Sequence, residues 1–181
     1  MSHYADAGEL EGELVAFLTA FFASDDGARA VSAARAVGDS ARVTLHLLEP
    51  DAVVGIDFFA GTVSTEPVEA PDVELEIAAD ALHDILLDRL DPVQISRLYE
   101  TGEVRFAGSY QHLGALILLA GPLAPHYAAS LERRGRRDLL DTPLPPTKIA
   151  WGDPREAHGA PRKLIGERRP WQRPKRARAA A

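Results

Sequence analysis

Between Asp72 and Leu119 the chain passes through a strand pattern, a helical pattern, an Asp-Pro helix start, a second strand pattern and a very apolar helical pattern. Each step has a local cause. DVELEIA alternates Val73, Leu75 and Ile77 against Glu74 and Glu76, the period of a strand with one buried face. ALHDILLDRL places Leu82, Ile85, Leu86 and Leu90 on one helical face, with Asp80 positioned to cap its start. Asp91-Pro92 then supplies a cap and a first-turn proline, Gln94 sits where a capping partner belongs, and the helix so started carries Ile95 and Leu98. Glu103 to Ala107 is a strand ended by Gly108 and Ser109, and Tyr110 to Leu119 is a helix that Pro122 should kink or end. The stretch supplies far more apolar surface than chemically reactive side chains.

The flanking segments extend this pattern. Upstream, Leu10, Leu14, Phe17, Leu18 and Phe21 form a stripe at helical spacing, with Asp6 and Glu9 suited to cap its start. Ser24-Asp25-Asp26-Gly27 is a break, and Ala28 to Val37 reads as a short helix ending at Gly38. Residues 41 to 66 read as strands: Val43, Leu45 and Leu47 alternate with Arg42, Thr44 and His46, Pro50-Asp51 makes a turn, and Gly61 suits a hairpin. With DVELEIA this makes four strands in succession, which predicts a mainly antiparallel sheet. Downstream, a helix through Tyr127 and Leu131 runs into Arg133, Arg134, Arg136 and Arg137, cations suited to the negative end of its dipole.

A chain of 181 residues holds one ordinary domain with a sizeable core. Its net charge of −7 conceals a division. Residues 1 to 131 hold 6 Lys and Arg against 21 Asp and Glu, a balance of −15, whereas residues 132 to 181 hold 14 against 6, a balance of +8. An acidic body repels phosphate backbones, so nucleic-acid binding is not expected of it. There is no cysteine, hence no disulfide framework, thiolate metal site or cysteine nucleophile. MSHYADAGELEGE has neither the basic start and apolar run of a secretion signal nor the arginines of a transit peptide, so a cytoplasmic location is expected, with residue 1 kept. The longest apolar run, Leu113 to Ala124, is interrupted by Gly121-Pro122 and falls short of the roughly 20 residues a bilayer requires.

Reactive constellations are missing from the sequence. His46, His83 and His112 with Asp57 and Asp84 do not fall at metal-ligand spacing, and no HExxH is present. Adjacent residues such as Leu82, His83 and Asp84 point to different sides of a helix. No serine sits in a GxSxG elbow and no glycines form a phosphate loop. The residues therefore predict structural or solvent-facing histidines, no metal, no cofactor and no catalytic group.

The strand Asp72 to Ala78, the Leu82-to-Leu90 helix, Leu90-Asp91-Pro92, and Gly102 leading into Val104-Arg105-Phe106-Ala107-Gly108 with an apolar helix behind it resemble the sterol carrier protein 2 family. The resemblance covers roughly Ala41 to Leu119, and it departs from the family at Arg89, where members often have Gly. It implies an α+β fold: a five-stranded, mostly antiparallel sheet covered by helices, with an apolar tunnel between the layers. It also implies non-enzymatic binding and presentation or transfer of a lipid of sterol, fatty acyl, acyl-CoA or polyprenyl type. Burying about 14 methylenes at roughly 0.8 kcal/mol each is worth on the order of 11 kcal/mol gross, against an association cost of about 4 to 15 kcal/mol, so affinity should be modest.

On this reading the lining candidates are Phe58, Phe59, Leu86, Ile95, Leu98, Phe106, Leu116 and Leu119, and Gly121-Pro122 is a candidate hinge. The expected organisation is N-terminal helices over residues 1–38, the lipid-binding domain over 39–137, and a basic, Pro-rich extended tail over 138–181. In the tail, Arg168, Arg169, Trp171, Arg173, Lys175, Arg176 and Arg178 are candidates for transient docking on an anionic membrane surface or an enzyme partner. Two other functions fit the same residues: an accessory or scaffold subunit of a lipid or quinone biosynthetic enzyme with no ligand of its own, and nucleic-acid association through the tail.

Overall fold

The computed structural model describes residues 2–36, 42–108 and 123–143. The chain divides into two compact units, Met1–Pro145 and Pro146–Ala181, and every described residue lies in the first. Its elements are α1 (Ala7–Phe22), α2 (Asp25–Ala36), β1 (Arg42–Leu48), β2 (Ala52–Asp57), β3 (Thr62–Ser64), β4 (Val73–Ala78), α3 (Ala79–Leu86), α4 (Pro92–Thr101), β5 (Val104–Gly108), α5 (residues 123–133) and α6 (Arg137–Leu140).

The five strands form one sheet in the order β3-β2-β1-β4-β5. Three of its four pairings are antiparallel, and β1 runs parallel to β4. The parallel pair is a consequence of the connection after β3, which crosses the sheet instead of turning back. Residues 65–72 lie along the sheet there: the Val68 amide donates to Thr44 Oγ1 at 3.2 Å, and Asp72 accepts from the Arg42 amide at 2.9 Å. Thr44 is thereby buried on the face opposite Val43 and Leu45. Gly108, at φ 124°, ends β5 against β4, where an added Cβ would lie 2.0 Å from the Asp72 carbonyl oxygen.

The other face carries the core. Cross-strand partners Val43, Ile56 and Val73 share it, as do Leu45, Leu75 and Phe106. Helix α1 packs there by the stripe read from sequence, burying Leu10, Leu14, Phe17, Leu18 and Phe21, each worth about 1.5–3 kcal/mol. Asp6 caps it by accepting from the Glu9 amide. Helix α2 starts at Asp25, three residues earlier than its apolar pattern, because Ser24 Oγ accepts from the Gly27 amide at 3.1 Å.

Helix α3 departs from expectation at both ends. It begins at Ala79, so Asp80 lies inside its first turn and receives the His3 amide at 2.9 Å instead of capping. It stops at Leu86, which leaves Leu90 outside the helix. Helix α4 is capped as the sequence predicts: Asp91 accepts from the Val93 and Gln94 amides, Gln94 accepts from the Asp91 amide, and Gly102 closes the helix at φ 78°. Past α5, Gly135 takes φ 72° and the chain turns into α6, whose Leu139 is completely buried. The packed body therefore continues beyond residue 137, where the tail was expected to begin. Arg134 and Arg136 do more than face a helix dipole: both pair with the buried Glu13 of α1 at 3.1 Å.

Candidate binding cavity

An apolar cavity of about 150 Å³ lies between the helices and the sheet. Its floor is the core face of the sheet, where the two-residue period of β1, β2, β4 and β5 brings Val43, Leu45, Ile56, Leu75, Ile77 and Val104 to one side. Its cover comes from helical spacing. Helix α1 contributes Leu14, Phe17 and Leu18, α3 contributes Leu82, Ile85 and Leu86, α4 contributes Ile95 and Tyr99, and Leu123 begins the described part of α5. Phe58 closes one end, its ring edge-on to Phe22 at 5.6 Å. Of these residues only Tyr99 carries a polar side chain, and burial raises its phenol pKa above the ordinary value.

Phe58, Leu86 and Ile95, expected from sequence, stand in the wall. Phe59 does not: β2 ends at Asp57, whose carboxylate accepts the Ala60 amide at 2.8 Å, and the turn this makes leaves Phe59 44% exposed. Leu98 packs against the core but outside the cavity wall, because Tyr99 is the residue one full turn from Ile95. Phe106 shares the cavity's face of the sheet and sits behind Tyr99, ring centroids 6.4 Å apart at 82°. Leu116, Leu119, the Gly121-Pro122 hinge and all the tail-docking candidates lie outside the described residues. The contributions of α1, Leu82, Ile85 and Tyr99 were not singled out from sequence, although the i, i+4 spacing of Leu14 to Leu18 and of Ile95 to Tyr99 contained the signal.

A second interior lies on the other side of α3, and it is polar. His83, 1% exposed, reaches the Leu139 carbonyl through Nε2 at 3.0 Å. A carbonyl only accepts, so Nε2 carries the proton and Nδ1 is an acceptor. Nδ1 lies 2.9 Å from the Tyr127 hydroxyl and 3.1 Å from that of Tyr4, and the two hydroxyls are 2.7 Å apart. One tyrosine thus donates to the imidazole and the other to its neighbour. Burial pushes His83 down to about 4 and Tyr4 up to about 12, and raises Tyr127 further.

Arg89 completes this seam by donating to the Leu140 and Thr142 carbonyls and to Thr142 Oγ1. It also pairs with the buried Asp84 at 3.6 Å, too long for a hydrogen bond, so Asp84 Oδ1 has no hydrogen-bond partner among the described residues and burial raises its pKa despite the arginine. Arg89 thus ties residues 140–142 to α3. The phenyl ring of Phe17 stands between the two interiors, lining the cavity and meeting Tyr127 edge-on at 5.0 Å. Among the described residues no three His, Asp or Glu side chains are grouped to hold a metal ion, and no helix is long and apolar enough to cross a membrane.

These features define an α+β domain with an apolar cavity lined by one face of the sheet and by helices packed on it. Solved structures similar to this chain include sterol carrier protein 2 domains. The UbiJ-SCP2 ubiquinone synthesis protein is 18% identical, the match covering 62% of this chain and 94% of that one with a TM-score of 0.47. Sterol carrier protein 2 from Yarrowia lipolytica, in its apo form, is 16% identical, covering 66% and 97% with a TM-score of 0.47. The sterol carrier protein domain 2 of Helicoverpa armigera is 15% identical, covering 55% and 85% with a TM-score of 0.40. No protein-family model matches the chain, and no curated protein matches it.

Proposed function

We propose that the body binds an apolar ligand of the lipid class in the cavity and releases it chemically unchanged. The observation that supports this is the cavity itself: about 150 Å³ of space walled, among the described residues, by Leu, Ile, Val and Phe with a single tyrosine. Leaving such a void unfilled forgoes stability of about 3 to 4 kcal/mol at roughly 24 cal/mol per Å³. An apolar cavity of this size stays dry and admits a small hydrocarbon. A ligand that fills it recovers the lost contacts without having to displace well-held water.

The volume also limits the guest. At roughly 30 Å³ per small group the cavity takes about five methylene-sized units. A chain of 14 methylenes requires the cover to move apart, so long chains should bind only with accompanying movement of the helices. Five methylenes at about 0.8 kcal/mol contribute about 4 kcal/mol, no more than the lower end of the cost of association. Weak, exchangeable binding follows, which suits a protein that presents or passes on its cargo. Among the described residues the wall holds no pair of titratable groups that could perform general acid-base chemistry on a bound molecule.

The test is to purify the full chain natively and identify organic-extractable compounds by mass spectrometry, with uptake measured in parallel for sterols, fatty acids and polyprenyl phenols. A compound bound at one equivalent, by retention or by uptake, is the expected result. An empty extract together with no uptake would overturn the reading and favour a scaffold whose cavity is only a packing defect.

A further inference from the structure

We infer that the cavity selects uncharged ligands bearing one oxygen, and that the Tyr99 hydroxyl is the group that recognises that oxygen. The inference deepens the binding reading above and rests on it. Tyr99 is the one polar side chain among the described lining residues, and its hydroxyl has no hydrogen-bond partner among the described residues. Its ring is held edge-on by Phe106, so the phenol has a defined orientation, and its hydroxyl can both donate to and accept from a ligand oxygen. A ligand hydroxyl or carbonyl reaching it exchanges one hydrogen bond for another. A hydrocarbon leaves it as it is.

Charged head groups find nothing comparable. No Lys, Arg, Asp or Glu is in the described wall, so an ionised head drawn inside would be buried without a partner. The nearby arginines are engaged elsewhere: Arg89 with Asp84, Leu140 and Thr142, and Arg105 with Glu76 at 3.2 Å. Arg97 is two residues from both Ile95 and Tyr99, which turns it to the other side of α4. At longer range, residues 1 to 131 carry a balance of −15, which repels carboxylates and phosphates approaching the body. That same field attracts ammonium ions, so a cationic ligand separates the influence of the field from that of the cavity.

The experiment is an NMR titration of the full chain and of Tyr99→Phe with 1-hexanol, hexanoate, hexylammonium and cyclohexane at neutral pH. The series varies the head group on hydrocarbons of similar size. In the native protein 1-hexanol should bind at least about tenfold more tightly than either ion. Tyr99→Phe should weaken 1-hexanol about three- to tenfold and leave cyclohexane unchanged. Hexanoate or hexylammonium binding as tightly as the alcohol would overturn the inference, as would a Tyr99→Phe protein that binds 1-hexanol normally, while the binding reading survived. If no member of the series binds, cyclohexane included, the binding reading itself fails and this inference with it. Should Tyr99→Phe not fold, the ranking of alcohol against ions in the native protein decides.

Discussion

Helix α3 has an interior on each side, and the two are built on opposite principles. Toward the sheet, Leu82, Ile85 and Leu86 border the apolar cavity. On the opposite side, His83 and Asp84 border a packed seam in which Tyr4, Tyr127, Arg89, Leu139 and Thr142 are tied together by hydrogen bonds. A buried polar group without its partner is costly, whereas an apolar wall facing a void can change shape at little cost. The seam is therefore specified atom by atom and the cavity is adaptable. That combination suits a binding protein, in which the frame must hold while the pocket accommodates a guest.

Breaking the seam should have the largest effect. Arg89→Met leaves the Asp84 carboxylate buried without its cation and frees residues 140–142, and should cost about 3–5 kcal/mol in urea unfolding. Adding Asp84→Asn should recover part of this loss; full additivity of the two changes would show that they do not interact. Next, His83→Leu deprives the Leu139 carbonyl of its donor and the tyrosine pair of its acceptor, at an expected cost of about 2 to 4 kcal/mol.

Acid should weaken the same seam in the native protein. The folded His83 titrates at about 4 against 6.5 for a free histidine, so the unfolded chain binds the proton more readily. The groups facing it are Tyr4, Tyr127, His3 at 5.3 Å between rings, Asp80 and Arg89. Its contribution is complete above about pH 6.5 and is lost as pH falls toward 4, amounting to about 3 kcal/mol. Unfolding free energies of native protein and His83→Gln, compared between pH 7.5 and 4, should converge as pH falls; parallel curves would contradict the assignment. On the cavity side the change should be smallest. Leu86→Phe adds a ring to existing space and should alter stability by less than about 1 kcal/mol while abolishing 1-hexanol binding. A large loss of stability from this substitution would mean that the cavity wall is as tightly specified as the seam.

Much of the fold was legible in local patterns. The α1 stripe, the alternation of β1 and β4 and the Asp91-Pro92-Gln94 start of α4 depend on neighbours within a few residues, and each formed as its residues predict. The site was legible only in part. Phe58 and Phe59 are equivalent as adjacent apolar residues at a strand end, and the Asp57 turn alone sends one inward and the other out. Ile95 announced a buried face of α4, yet whether Leu98 or Tyr99 completes the cavity depends on how that helix is rotated against the sheet.

By itself, then, the sequence determined most of the helix and strand positions among the described residues, the acidic character of the body and the surplus of apolar surface over reactive groups, because periodicity, capping and charge are local properties. Tertiary structure alone decided the rest. The parallel pairing of β1 with β4, the union of Tyr4, His83 and Tyr127 across separations of 79 and 123 residues, and the placement of Tyr99 in an otherwise apolar wall have no local signature. They arise only when distant segments compete for the same buried space and the polar groups among them must find partners there.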